Sequence, residues 1–579
     1  MPSEAVLSTT DSEPRDPDHF DVDVLVVGAG PIGLTTAAAL GHHGVSCRVV
    51  EQRDETKPYS RANNVWARAQ ELLAGVGVRD ALAANSYLVT EVRTVLGGRP
   101  IDPVLLDRVP SPFPAVLYSG QDVIETTLTD LVAGGGTRVE RGRKLVDLHQ
   151  DDDGVTATVV PSDDHSGAGD GERNGTAERI RCRYLVGADG SSGAVRDAVG
   201  VKMPTDSFEG RLNRQVDARL SWARSTEPDH ISFFYYEGGF AGILPVWGGY
   251  HRLFFLQGDE GVPDRDPTLE EIQALAREVT QDPTLTLTDP VWFSHSRFRH
   301  GVADSYAVGR VLLAGDAGHF TLPIGGQGMN AGFHDAVGVA WRLAMVLAGR
   351  AAPVVLTSYG TERQGEHARL HQQQVSGFRR TVERGKVTDV AIDLAARVLP
   401  GIGSLIQGTD DLQQLSVAYP GSELNDDHLG PRLLHRGAPR AGRRAPDAPV
   451  SLRGGEASSL FVHTTNPDGW TYGWTLLAFD GGAADEGARR AAAIAAVEPW
   501  AWIRPRLVSA VPLPPAQRVP GVTDLMDLDQ RAHDAYDLRG RPALVLLRPD
   551  GHIAFRGPVE RPELLTAYCE RIFGSAPHA

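Results

Sequence analysis

The stretch DVDVLVVGAGPIGLTTAAALGHHGVSCRVVEQR, residues 21–53, decides the fold. A β-branched run ends in glycines, an Ala- and Leu-rich helical stretch follows, and SCRVVEQR supplies a second strand, completing a βαβ unit. Gly28, Gly30 and Gly33 form GxGxxG between the first strand and the helix. The first glycine allows a tight turn, the second lets a pyrophosphate approach the backbone, and the third permits close helix–strand packing. The helix start then offers unpaired N–H groups and a positive dipole end to phosphate. Glu51 ends the second strand about twenty residues on, where an acid bonds the adenosine ribose hydroxyls. The motif specifies a dinucleotide; alone it does not separate FAD from NAD.

Composition narrows the class. With 579 residues the chain is too long for one core, so two or three domains are expected. A net charge of -17 argues against nucleic acid as a partner, because phosphate binding needs concentrated Lys and Arg. Cys47, Cys182 and Cys569 stand far apart, which offers neither a disulfide framework nor a cysteine metal site. There is no apolar run of about 18 residues, so no spanning helix is expected. Residues 1–20 are acidic and polar without an apolar signal core, and read as a disordered tail on a cytoplasmic protein.

Further along, helices are predicted over ARAQELLAGVG and QDVIETTLTDLVAGG, and a polar hairpin loop over residues 161–177. From about 205 to 300 aromatic and β-branched strands dominate, with one helix at TLEEIQALAREVT. Long helices are expected from about 330 to 400, a Pro-, Gly- and Arg-rich linker over 421–447, and a smaller α/β unit over 448–579.

Two more motifs accompany the first. YLVGADGSSGAVR places Asp189 and Gly190 after a strand, with Arg196 beyond them. GRVLLAGDAGHFTLPIGGQGMNAGFHDA places Gly315 and Asp316 after another strand and continues into a glycine-rich turn that opens a helix. GxGxxG, an internal Asp-Gly and a later Gly-Asp, in this order over roughly residues 20 to 395, resemble the single-component flavoprotein monooxygenases. That family includes para-hydroxybenzoate hydroxylase, phenol hydroxylase and the polyketide hydroxylases.

The resemblance implies a discontinuous Rossmann-like FAD-binding domain (20–204 and 296–420) with an antiparallel substrate domain (205–295, plus strands near 85–118). It also implies a C-terminal thioredoxin-like domain (448–579). Lacking paired cysteines, that domain is left a structural or dimerisation role, with a homodimer as the candidate assembly.

By position, Gly28, Gly30, Gly33 and Glu51 would hold the ADP half of FAD, and Arg61 and Gln121 would contact FAD. Asp189 would serve FAD and NAD(P)H, and Asp316 the ribityl chain. Gly328, Met329 and Asn330 would present backbone groups, and the Asn side chain, to the flavin ring. Pro323, Gly325 and Gly326 would lie over the ring near the oxygen-binding position. Arg196 reads equally as a loop brace.

The implied chemistry is reduction of FAD by NADH or NADPH, capture of O2 as a flavin hydroperoxide, and hydroxylation of a bulky aromatic substrate. Baeyer–Villiger-type oxygenation on the same fold and a non-turnover flavin- or ligand-binding protein are the alternatives. A second GxGxxG after a strand is absent downstream, so a dedicated nicotinamide domain is not expected. For the substrate pocket Tyr235, Tyr236, Trp247, Trp292 and Phe293 are candidate linings, each also legible as sheet core. Arg252, Arg297 and His300 are candidate partners for a phenolate or carboxylate, or surface groups. No catalytic base is assigned.

Overall fold

The computed structural model describes residues 19–56, 62–162, 176–236, 239–322, 324–382, 409–429, 439–453, 455–465, 473–482, 487–515 and 518–575. Its first sheet grows from β1 (Val22–Val27), α1 (Pro31–His42) and β2 (Cys47–Glu51), the two strands running parallel with Val24 opposite Cys47. On the other side of β1 lies the parallel strand Glu178–Gly187, and beyond it Val311–Leu313. Three loops distant in sequence therefore leave the carboxyl ends of adjacent parallel strands: Gly28 after β1, Asp189 after Gly187, and Gly315 after Leu313. Open α/β sheets bind ligands at that edge. The near-continuous apolar runs of these strands require cover on both faces, and α1 with the helix Gln327–Leu347 packs within the same buried cluster.

In the second sheet the strand Thr205–Ser221 lies between Thr286–Val302 and Tyr250–Gly258, followed by Gly239–Val246, His230–Tyr236, Glu91–Leu96 and Arg99–Leu105. One face is covered by the helix Leu269–Thr280, which starts at Thr268 with a reciprocal capping box to Glu271 and buries Ile272, Ala276 and Val279. The opposite face turns toward the dinucleotide loops.

The third sheet has the order Asp426–Asp427, Ile553–Pro558, Ala543–Leu547, Trp474–Phe479, Ile503–Ser509, Thr523–Met526, Pro449–Leu452 and Ala457–Ser459. Part of the expected linker is thus structure: Asp426–Asp427 pairs in parallel with Phe555 and Arg556. Arg444, in the stretch read as a linker, has its side chain 9% exposed and grips the Glu71 carboxylate with two nitrogens. A composition rich in Pro, Gly and Arg cannot distinguish a solvated arginine from one paired with a distant acid. A second clamp joins Arg548 to Glu362 at 2.7 and 2.9 Å, both side chains at most 1% exposed. Cys47, Cys182 and Cys569 are all buried and free, and burial pushes the Cys569 thiol pKa up. No described helix is long and apolar enough to cross a membrane.

Within this unit His533 sits between two buried carboxylates, Nδ1 2.7 Å from Asp527 Oδ2 and Nε2 2.9 Å from Asp480 Oδ1. Burial opposes its charge, but the two acids hold its pKa above the ordinary value. Burial likewise opposes the charge on Asp480, yet its bond to His533 and the N–H groups of Gly482 and Ala510 keep its pKa low.

The raised histidine stabilises the fold fully below its unfolded pKa, and that contribution disappears as pH rises through the folded one. The depressed acid stabilises above its unfolded pKa and fails as pH falls through the folded one. His533→Gln should lower unfolding stability by about 3–5 kcal/mol at neutral pH. It should also abolish the component of stability lost on the alkaline side, both read from urea unfolding of the full chain across pH.

Candidate active site

Gly28 turns the chain with φ of +107°, and a Cβ there would lie 2.3 Å from the Ala188 carbonyl oxygen, so only glycine fits. Gly33 is buried in the first turn of α1 against the Gly28 carbonyl. Glu51 Oε2 accepts the Ala29 N–H at 2.7 Å, while Oε1 accepts the Arg53 backbone and Nε hydrogens at 2.9 and 3.0 Å. Burial raises its pKa, but Arg53 and the two N–H groups bring the balance below the usual carboxylate range. The acid expected to meet ribose thus also braces the glycine turn.

Gly28, Gly30 and Glu51 line one end of a cavity of about 1380 Å³. Its wall continues past Gln121, Asp189 and Asp316 to Gly325, Gly326, Gly328 and Met329, then onto the second sheet. Gln121 opens the helix Gln121–Gly134, accepts the Ala62 N–H and donates to Glu125 at 2.8 Å. Asp189 accepts the Val195 N–H at 3.0 Å, and burial raises its pKa. Arg196 donates to Ser191 O and Ala317 O, which ties the Asp-Gly loop to the Gly-Asp loop and makes it a brace. Asp316 is exposed on the cavity in the turn Gly315–Ala317. Arg61 and Pro323 lie outside the described residues.

The glycine turn is built by contacts across the chain. Gly326 has φ of +61°, and a Cβ there would fall 2.0 Å from Asn64 Oδ1. Asn330 is buried and its amide is spent on this turn: Nδ2 donates to Gly326 O and Asn64 O at 2.7 and 3.0 Å, and Oδ1 accepts the Trp66 N–H at 2.7 Å. The Trp66 indole N–H donates to Gly325 O at 2.8 Å. Contrary to expectation, then, the Asn330 side chain shapes the turn rather than facing a ring.

Behind the turn lies the carboxylate of Asp335. Oδ2 accepts the Gly315 N–H at 2.9 Å and meets His319 at 3.0 Å; Oδ1 meets Arg363 at 2.6 Å and His367 at 3.2 Å. Burial opposes its charge, but Arg363 first, then His367 and His319, hold its pKa well below the ordinary value. His319, Asp335 and His367 are compact enough for a metal, yet Arg363 already places a cation on the same oxygen.

At the far end, strand geometry sorts the aromatic candidates, because successive side chains point to opposite faces. Ile231, Phe233 and Tyr235 line the cavity, whereas Phe234 and Tyr236 pack on the helix Leu269–Thr280. Likewise Trp292 faces the cavity and Phe293 the helix. Tyr236 is therefore corrected to Tyr235. Trp247 sits at a hairpin end, 36% exposed and against Tyr87, away from the cavity wall.

A family model described as an FAD binding domain matches residues 21–374, and one described as the aromatic-ring hydroxylase C-terminal region matches residues 438–576. The chain belongs to the FAD-dependent aromatic-ring hydroxylases. Pentachlorophenol 4-monooxygenase of Sphingobium chlorophenolicum is 28% identical over 94% of this chain and 95% of its own. The 6-methylpretetramide 4-monooxygenase of Streptomyces rimosus is 30% identical over 67% of each chain. The solved ternary complex of aklavinone-11 hydroxylase with FAD and aklavinone superposes with a TM-score of 0.74 at 26% identity, covering 96% of this chain and 100% of that one.

In this hydroxylase the residues present suit FAD: a glycine cradle that a Cβ would fill, and a cavity leading from it to an aromatic wall. Sequence reasoning missed Asn64, Trp66 and Asp335, since their partners are long-range. It also missed Phe233, Phe240 and Phe254, which period-two alternation would have found. Gly326→Ala should strain the turn by about 1–3 kcal/mol and weaken FAD retention by about ten-fold, measured as flavin per protein after gel filtration; undiminished flavin content would refute the packing argument.

Proposed function

We propose that the protein is a monooxygenase that uses NADH or NADPH to transfer one atom of O2 to a bulky, antibiotic-like aromatic substrate. The observation that carries this reading is a cavity in which the dinucleotide loops and an aromatic sheet face meet at Gly325–Met329. Bound FAD, reduced by the nicotinamide, supplies the activation of O2; one oxygen enters the substrate and the other leaves as water. Relatives named for pentachlorophenol and 6-methylpretetramide, and a solved relative holding aklavinone, support the substrate class.

The chain's own residues bind, orient and shield. Gly28 and Gly30 receive the pyrophosphate at the start of α1, and Glu51 meets the ribose while holding the Ala29 N–H. Gln121, with Arg61, positions the middle of the cofactor, and Asp189 approaches from the neighbouring loop. Asp316 takes the ribityl hydroxyls, its turn fixed by the bond from Gly315 to Asp335. The backbone of Gly328 and Met329 borders the ring. Gly325 and Gly326 leave a surface with little side-chain bulk over it, which Asn330 and Trp66 hold in place, and the family resemblance assigns Pro323 to the same role. Phe233, Phe240, Phe254 and Trp292 exclude water and pack the substrate ring.

Purified protein should be yellow, release FAD on denaturation, and consume NAD(P)H faster when an aromatic substrate is added, with a product heavier by one oxygen. Asp316→Ala should reduce FAD affinity by about ten-fold or more, the loss of a charge-assisted hydrogen bond or two. A colourless protein that cannot be reconstituted with FAD would overturn the reading.

A further inference from the structure

The strand Thr205–Ser221 runs through the middle of the substrate sheet and lays Asn213 and Gln215 on the cavity wall. Directly opposite them stand Leu256 and Phe254 on one neighbouring strand, with Phe233 and Phe240 beyond, and Ser296 and Ser294 on the other. Asn213 is 3% exposed, and its Oδ1 has no hydrogen-bond partner among the described residues. An unpaired buried amide oxygen costs about 1–3 kcal/mol, and buried polar side chains are as a rule paired. A half-turn about the last side-chain bond exchanges the amide's two ends, so Asn213 offers the cavity either an acceptor or a donor.

One pleat beyond Gln215 the strand carries Asp217, which binds Arg252 through two bonds of 2.8 and 2.7 Å, both residues buried. Arg252 also stacks over Trp292 at 4.7 Å. The cation on this wall is therefore already matched by an acid of the protein. A substrate carboxylate brought here would lose its hydration without gaining an unmatched positive charge.

We propose that Asn213 and Gln215 form a hydrogen-bonding stripe that selects an uncharged, multi-ring aromatic substrate carrying hydroxyl and carbonyl groups along one edge. The inference rests on the monooxygenase reading of this cavity and adds to it the polarity of the substrate edge. Alternate residues of a strand stand about 7 Å apart, so the two amides together read an edge longer than adjacent substituents of a single ring. A site built to bond a hydroxyl rejects an analogue lacking that hydroxyl far more strongly than an apolar wall rejects an extra methylene.

The test uses the FAD-loaded full chain and three probes: 1,8-dihydroxyanthraquinone, 1,8-dimethoxyanthraquinone and anthraquinone-2-carboxylate. Binding is read from quenching of tryptophan fluorescence, for which Trp292 is on the cavity wall, so no turnover is needed. The dihydroxy compound should bind at least about ten-fold more tightly than the other two. Asn213→Leu should remove most of that preference while leaving affinity for the dimethoxy compound within about two-fold, and Gln215→Leu should act in the same direction. Gln215→Leu decides the matter if the first variant does not fold. Tighter binding of the carboxylate, no preference in the parent protein, or an unaltered preference in the folded variants would overturn the stripe. Because quenching can also be read without flavin, the expected preference in a protein that holds no FAD would sustain the stripe and sink the monooxygenase reading instead.

Discussion

A buried carboxylate with no exposed surface, Asp335, is the constraint on which the cofactor edge of this protein depends. Taking such a charge out of water is costly unless partners surround it, and here they come from separate parts of the chain. The Gly315 N–H belongs to the Gly-Asp turn, His319 to the strand after it, and Arg363 and His367 to the long helix Pro353–Val382. Arg363 in turn donates to the Tyr419 hydroxyl, where the chain enters its C-terminal sheet. The requirement to satisfy one carboxylate therefore fixes the turn that carries Asp316 relative to the helices behind it. Nothing in the local sequence of the turn could do this alone.

The same economy governs the glycine turn. Glycines at 325 and 326 give a backbone that could adopt many conformations, and an unpinned turn would be a poor boundary for a reaction needing exact placement. Trp66 and Asn330 remove that freedom with one hydrogen bond each to the Gly325 and Gly326 carbonyls, and two more bonds, Trp66 to Asn330 and Asn330 to Asn64, hold the pair in place. A cavity wall without side-chain bulk and a rigid wall are usually opposing demands. Here they are reconciled because the rigidity is supplied from the far side.

The dinucleotide edge was legible in the sequence because its signals are local: Gly28, Gly30 and Glu51 lie within one βαβ unit, and Asp189 and Asp316 each follow a recognisable strand. Which residues face the substrate was only half legible. Neighbours such as Tyr235 and Tyr236, or Trp292 and Phe293, are equally aromatic, and composition ranks them alike; the pleat does not. Asn213 and Gln215 drew no notice because an amide in a strand is unremarkable until its neighbours are known. Arg444 drew no notice for a related reason. Its partner Glu71 lies far back in the chain, and no window of sequence contains both.

The two arginine clamps bear on how this architecture can change over time. Glu71 and Glu362 belong to the cofactor-bearing part of the chain, while Arg444 and Arg548 come from the C-terminal part, and none of the four side chains is more than 9% exposed. Losing the terminal unit would leave Glu71 with Arg68 and Glu362 with Arg342, each acid short of one of its two arginines in an interior built for ion pairs. Grafting an unrelated unit in its place would do the same unless it brought cations to the same two points. A segment without a redox motif of its own is thereby made difficult to discard, and its inheritance together with the flavin-bearing half follows from electrostatics rather than from any chemistry it performs.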